Sequence, residues 1–217
     1  MKRRTFMQLF PAAAIEFPLS FQDNVSAEPL LPLFPLDLVL LPETNLPLHI
    51  FEERYKEMIG DCIDNRWEFG MLAVSTRSME AIGCTASISK VLDRFPDGRM
   101  NILVRGRRRF EISMLNREKS YLRGKPAFLE DDQEEPATAV QRERAIGLYR
   151  RLTSLAELDS NDTQLSYRMM GGVQAGLRWK QSLLEIRSER ERLRRVIDYF
   201  ESLLKEIEPA GAPRQII

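Results

Sequence analysis

Proline interrupts the apolar stretch 30–51 at Pro32, Pro35, Pro42 and Pro47, and this punctuation narrows the folds open to that part of the chain. Proline has no backbone N–H and a fixed φ, so it breaks helices and is tolerated in sheets at edges, ends and bulges. The segments 30–34, 37–41 and 45–51 are therefore expected to be short strands at the margins of a sheet. With Asp37, the prolines also keep the stretch short of the ~18 apolar residues that suggest a membrane span.

The pattern then changes. Tyr55, Met58, Ile59, Cys62 and Ile63 recur at helical spacing, which predicts a helix over 52–65 covering one mouth or face of the sheet. Residues 67–75 and 82–95 read as strands, and Pro96-Asp97-Gly98 has the turn chemistry of a hairpin. Beyond it Ile102, Val104, Phe110, Ile112 and Met114 share one parity while Arg105, Arg107 and Arg109 share the other, giving an inside and an outside. A bulge costs least at Gly106, and a bulge there shifts the inward parity and reopens the face of Arg107 to Arg109. Residues 121–129 are the last strand candidate.

The acidic run 130–136 reads as a solvated linker closed by Pro136. Helices follow it. Ala145, Leu148, Tyr149, Leu152, Leu155 and Ala156 keep helical spacing. A second helix is expected after Asn161-Asp162-Thr163, capped by those side chains, and a third over 180–186. Ser188 with Glu191 fits a capping box ahead of the amphipathic run from Leu193 to Ile207. This divides the chain into a leader at 1–28, a β-rich part at 29–132, a helical subdomain at 137–208 and a tail at 209–217.

The leader is expected to be disordered. Arg3-Arg4-Thr5-Phe6-Met7 looks like a twin-arginine export signal, and Val25-Ser26-Ala27 suits cleavage, but Glu16, Asp23, Pro11 and Pro18 deny it a clean apolar core. A cytoplasmic protein is the expectation and export the alternative.

Lys plus Arg equals Asp plus Glu at 32 each, so no global field draws in nucleic acid or an anionic membrane. Chemistry-bearing constellations are scarce. Gly171 and Gly176 have P-loop spacing, but Leu177-Arg178 stand where Lys and Ser or Thr belong. Ser-x-x-Lys occurs at Ser87 to Lys90 and at Ser202 to Lys205 without its partner motifs. One histidine, His49, and two isolated cysteines, Cys62 and Cys84, supply neither a paired-histidine metal site nor a Cys-x-x-Cys pair. No catalytic residue, metal or cofactor is expected.

The blocks Leu31-Pro32-Leu33-Phe34-Pro35-Leu36, Val39-Leu40-Leu41-Pro42-Glu43 and Leu46-Pro47-Leu48-His49-Ile50-Phe51-Glu52-Glu53-Arg54-Tyr55 resemble the opening of the Lon amino-terminal domain family. The likeness continues through Ile82 to Ile88, Asp97-Gly98-Arg99, Gly106, Arg109-Phe110, Lys180 to Glu185 and Glu191-Arg192-Leu193. It implies an α+β fold, a PUA-like β pseudobarrel followed by a C-terminal α-helical bundle. It also implies a non-catalytic module that recognises unfolded or misfolded polypeptide, with a protease or chaperone as a further partner and a role in quality control. The family's proteases continue into ATPase and Ser-Lys peptidase domains that 217 residues do not reach, so no enzymatic activity is expected. The corner Leu46, Leu48, His49, Phe51, Arg54 and Tyr55 is the candidate substrate site, with plain core packing as the alternative for Leu48 and Phe51. Binding of RNA by the barrel, through Arg105, Arg107, Arg108 and Arg109, is the reading from a different class.

Overall fold

The computed structural model describes residues 30–75, 78–132, 136–153 and 158–207. The expected leader at 1–28 and tail at 209–217 lie outside them. The strands are β1 (Leu31–Leu36), β2 (Asn45–Ile50), β3 (Phe69–Ala73), β4 (Ile82–Arg94), β5 (Met100–Asn116) and β6 (Arg123–Phe128). The helices are α1 (Glu53–Asn65), α2 (Ala139–Leu152), α3 (Leu165–Gly171), α4 (Leu177–Glu185) and α5 (Glu189–Ile207). The α+β expectation holds.

The six strands run in the order β2-β5-β4-β3-β1-β6, and β6 returns to pair with β5. That last pairing closes β5, β4, β3, β1 and β6 into a ring and leaves β2 outside it. β1 and β3 are parallel, the other pairs antiparallel, so β2 and α1 fill the long crossover a parallel pair requires. β5 serves both regions. Its first half lies between β2 and the outer half of β4, forming a three-stranded arm, and its second half lies in the ring beside β6.

A bulge separates the halves. Cys84 faces Arg109 and Ala86 faces Gly106, so β5 spends three steps where β4 spends two. Before the bulge, Met100, Ile102 and Val104 face the large core shared with the helices; after it, Phe110 and Ile112 face a second core with Leu33 and Leu72 inside the ring. The residues of one parity thus divide between two cores, and Arg109 joins the face of Cys84. Glycines line the small ring interior: a Cβ on Gly70 would lie 2.5 Å from the Phe110 ring, and one on Gly124 would lie 2.9 Å from Ile112 and Leu33. There is room for one aromatic ring because these positions carry no side chain.

Residues 37–41 form no strand, contrary to the sequence expectation. Leu40 and Leu41 are buried, but the chain must turn from β1 in the ring to β2 on the arm. Pro42 and a left-handed Glu43 (φ 60°) make that turn. The Leu41 carbonyl accepts both the backbone N–H and the hydroxyl of Thr44. Burial without a ladder explains the strand-like composition.

In the helical half, Gln164 takes the position before α3, and Asp162 caps no helix N–H but accepts from the Gln164 N–H at 2.9 Å. The early N–H of Ser166 goes instead to the carboxylate of Glu189, on α5, at 2.9 Å. Ser188 Oγ accepts from the Glu191 N–H at 3.3 Å as a capping box requires, whereas the Glu191 carboxylate turns outward to Arg194. One continuous core reaches from Phe34 and Ile102 on the sheet to Tyr167, Leu184, Leu193 and Phe200 on the helices. Among the described residues, no helix is long and apolar enough to cross a membrane.

Candidate functional site

Alternation along β2 decides where the expected site residues point. Asn45, Pro47 and His49 are exposed, while Leu46 and Leu48 are half-buried against the large core. Tyr55, on α1, is core, its ring 4.2 Å from that of Phe34, and burial pushes its hydroxyl pKa up. Arg54 is exposed, 4.8 Å from the Tyr55 ring and paired with Glu52 at 2.7 Å. Of the six candidates, His49 and Phe51 come together at the surface, with ring centroids 5.9 Å apart.

The hairpin adds residues that the sequence reading did not single out. Phe95, last residue before the turn, brings its ring edge-on to His49 at 6.3 Å and remains 37% exposed. Leu92, the extra residue of a β4 bulge, is 46% exposed. Register places His49, Asn101 and Asp93 in one row across β2, β5 and β4. Their side chains are linked: Asn101 Nδ2 donates to Asp93 Oδ2 at 2.8 Å, and Asn101 Oδ1 lies 2.7 Å from His49 Nδ1. Counting the register outward from Pro96-Asp97-Gly98 was the signal available for the Asp93–Asn101 pair, whereas His49 joins it only through the pairing of β2 with β5.

β2 is also an edge. Among the described residues it pairs with β5 alone. A strand paired on one side holds a proline where its nitrogen faces away from the partner. Alternation then turns the backbone groups of Asn45 and His49 to the same open side as Pro47. The opposite edge of the arm is less receptive, because bulges at Ile88/Lys90 and Val91/Asp93 break its spacing.

The arginine cluster does not form one surface. Arg105 pairs with Glu43. Arg107 is exposed. Arg108 lies 3.9 Å over the Phe128 ring and 3.6 Å from Glu68. Arg109, turned by the bulge, is 3% exposed and donates to the carbonyls of Leu184 and Ile186 at 3.0 and 3.1 Å and to Asp131 Oδ1 at 2.6 Å. It is not available to a phosphate.

Asp131 was expected in a solvated linker, and the structure corrects this. It sits between Arg109 and Arg192, and Arg192 also donates to Glu189 Oε2 (2.8 Å), Ser166 Oγ (3.1 Å) and the Ile186 carbonyl (2.8 Å). Burial pushes the Glu189 carboxyl pKa up, against the pull of Arg192. For Arg192 burial acts downward, but hydrogen bonding to Asp131 and the surrounding charges hold its pKa above the ordinary arginine value. This network joins ring to bundle beside a cleft of about 280 Å³ lined by Arg107, Phe128, Pro136, Arg142 and Gln164. It holds the halves in register, and its one hydroxyl, that of Ser166, is fully buried and donates to Glu189 at 2.7 Å. Burial likewise pushes the Cys62 thiol up to about 12 and the Cys84 thiol higher still, so neither is a thiolate near neutrality.

The family model for the ATP-dependent protease La (LON) substrate-binding domain matches residues 30–202. The chain belongs to the Lon substrate-binding domain family. Lon protease of Escherichia coli (strain K12) is 28% identical over 194 residues, covering 79% of this chain and 24% of the relative. Lon protease of Buchnera aphidicola subsp. Baizongia pistaciae is 26% identical, with 25% of its length covered. The chain therefore spans about a quarter of the length of these Lon relatives. The crystal structure of a Lon N-terminal domain protein from Xanthomonas campestris superposes with a TM-score of 0.66 at 25% identity, over 79% of this chain and 99% of that one. The N-terminal domain of a Mycobacterium avium complex Lon protease shares the fold (TM-score 0.59, 19% identity, 80% and 98% covered). The Lon-family likeness thus includes both the ring and the bundle.

Proposed function

We propose that this Lon-family domain is a non-catalytic module that recognises unfolded or misfolded polypeptide, acting in protein quality control beside a protease or chaperone. One observation carries the reading. An aromatic group, half-buried Phe51 with exposed His49 and Phe95, stands at a sheet arm whose β2 edge is unpaired among the described residues. An extended segment laid along β2 gains main-chain hydrogen bonds from Asn45 and His49, and its side chains meet the rings. Pro47 removes one donor from that edge, which limits the ladder and suits transient capture over permanent pairing. Nucleic-acid binding is not proposed, since Arg109 is buried and Arg105 is paired.

Fluorescence anisotropy of a labelled, permanently unfolded polypeptide tests the reading. Phe95→Ser is expected to weaken binding about tenfold, as removal of an aromatic anchor worth ~1.4 kcal/mol or more does. Its melting temperature should stay near that of the parent, because Phe95 is exposed. Full affinity in a folded Phe95→Ser, Phe51→Ser double variant removes this face from the function.

A further inference from the structure

The row across the arm sets a direction of hydrogen bonding that ends at His49. A carboxylate only accepts, so the Asn101 group 2.8 Å from Asp93 Oδ2 must be its NH2. The Asn101 carbonyl oxygen then faces His49 Nδ1 at 2.7 Å, and an oxygen only accepts, so the imidazole proton resides on Nδ1. Nε2 of the neutral ring is consequently a bare acceptor, on an exposed side chain flanked by the rings of Phe51 and Phe95. Arg99 pairs with Asp97 at 2.6 Å and lies 5.3 Å from the Phe95 ring, Arg54 pairs with Glu52, and Arg94, between Asp93 and Phe95 in the chain, is exposed. Lys56, on α1, is held by Glu53 and the Asp97 carbonyl.

We propose that His49 is the specificity-determining residue of the polypeptide-binding face. It selects extended segments that place an N–H or O–H donor between apolar side chains, and it releases them on acidification. The proposal rests on the polypeptide-binding reading above and adds chemistry to it. Protonation turns Nε2 from acceptor into donor, so a segment presenting a donor there meets a donor and a positive charge. His49 is the chain's one histidine, so a pH response lost in a His49 variant is assigned to a single imidazole. The Asp93–Asn101 arm prepares the acceptor in advance, so no ring reorientation is needed on binding.

The probe is a short peptide, acetylated and amidated at its ends, alternating Phe or Val with Ser or Thr, flanked by lysines and carrying tetramethylrhodamine. It has no group that titrates in the working range. Its affinity for the full chain is measured by anisotropy from about pH 8 to about pH 5. The parent is expected to lose roughly five- to tenfold in affinity as the pH falls, the size of one surface hydrogen bond turned unfavourable. His49→Phe, which keeps the stacked ring, is expected to bind with a flat profile. Asn101→Ala is expected to weaken binding at high pH while leaving a pH dependence. Binding by the parent that is flat or tighter in acid overturns the role of His49 and leaves the polypeptide-binding reading standing, as does a His49→Phe variant that retains the parent's profile. Absence of binding at every pH overturns both.

Discussion

Arg192 shows how much one buried side chain is asked to satisfy. It is fully enclosed, stacks 4.4 Å from the Tyr167 ring, and donates to Asp131, Glu189, Ser166 and a carbonyl. Removing one member of such a network strands the others away from water, which typically costs more than the intact pairs contribute. Arg192→Ala is expected to lower the unfolding free energy by about 3–5 kcal/mol in a urea titration. Glu189→Gln, which keeps an acceptor for Ser166, should cost clearly less. The capping-box motif was legible at Ser188 to Glu191, but which of its two glutamates goes inward was not. Helix phase relative to α3 buries Glu189 and leaves Glu191 on Arg194, and that phase comes from packing.

At the scale of elements the β5 bulge has the widest effect. It lets one strand serve the arm and the ring, and it turns Arg109 toward the bundle. Gly106 makes the bend possible because a Cβ there would fall 2.1 Å from the Leu41 carbonyl oxygen. Backbone cannot swing aside as a side chain can, so Gly106→Ala is expected to destabilise the chain by about 1–3 kcal/mol, read as a lower urea midpoint. Peptide affinity per folded molecule should fall as well if β2 moves with Leu41. Turn chemistry at residues 96–98, the helix 52–65 and the amphipathic α5 were all readable, because each is written in local spacing. The strand expected at 37–41 was not there, because its burial comes from a turn pinned by Thr44 and Gly106.

For the whole molecule, the shared core and the Arg109–Asp131–Arg192 network join ring and bundle, and the two are expected to unfold as one cooperative unit. Trp67 precedes β3 and Trp179 lies in α4, so Trp67→Phe and Trp179→Phe leave one reporter in each half. Urea transitions followed by the two reporters are expected to superimpose, and a separation between them would show halves that unfold independently. By itself the sequence determined most of the element types, 37–41 excepted, the β-then-α order and the family likeness, since periodicity, proline and turn chemistry act over a few residues. Only the tertiary structure decided which side chains meet. Closure of β6 on β5, the parity change at the bulge, the gathering of His49, Phe51 and Phe95, and the placing of Asp131 between Arg109 and Arg192 each depend on register between segments distant in the chain. Local spacing carries no information about that register until the strands are paired.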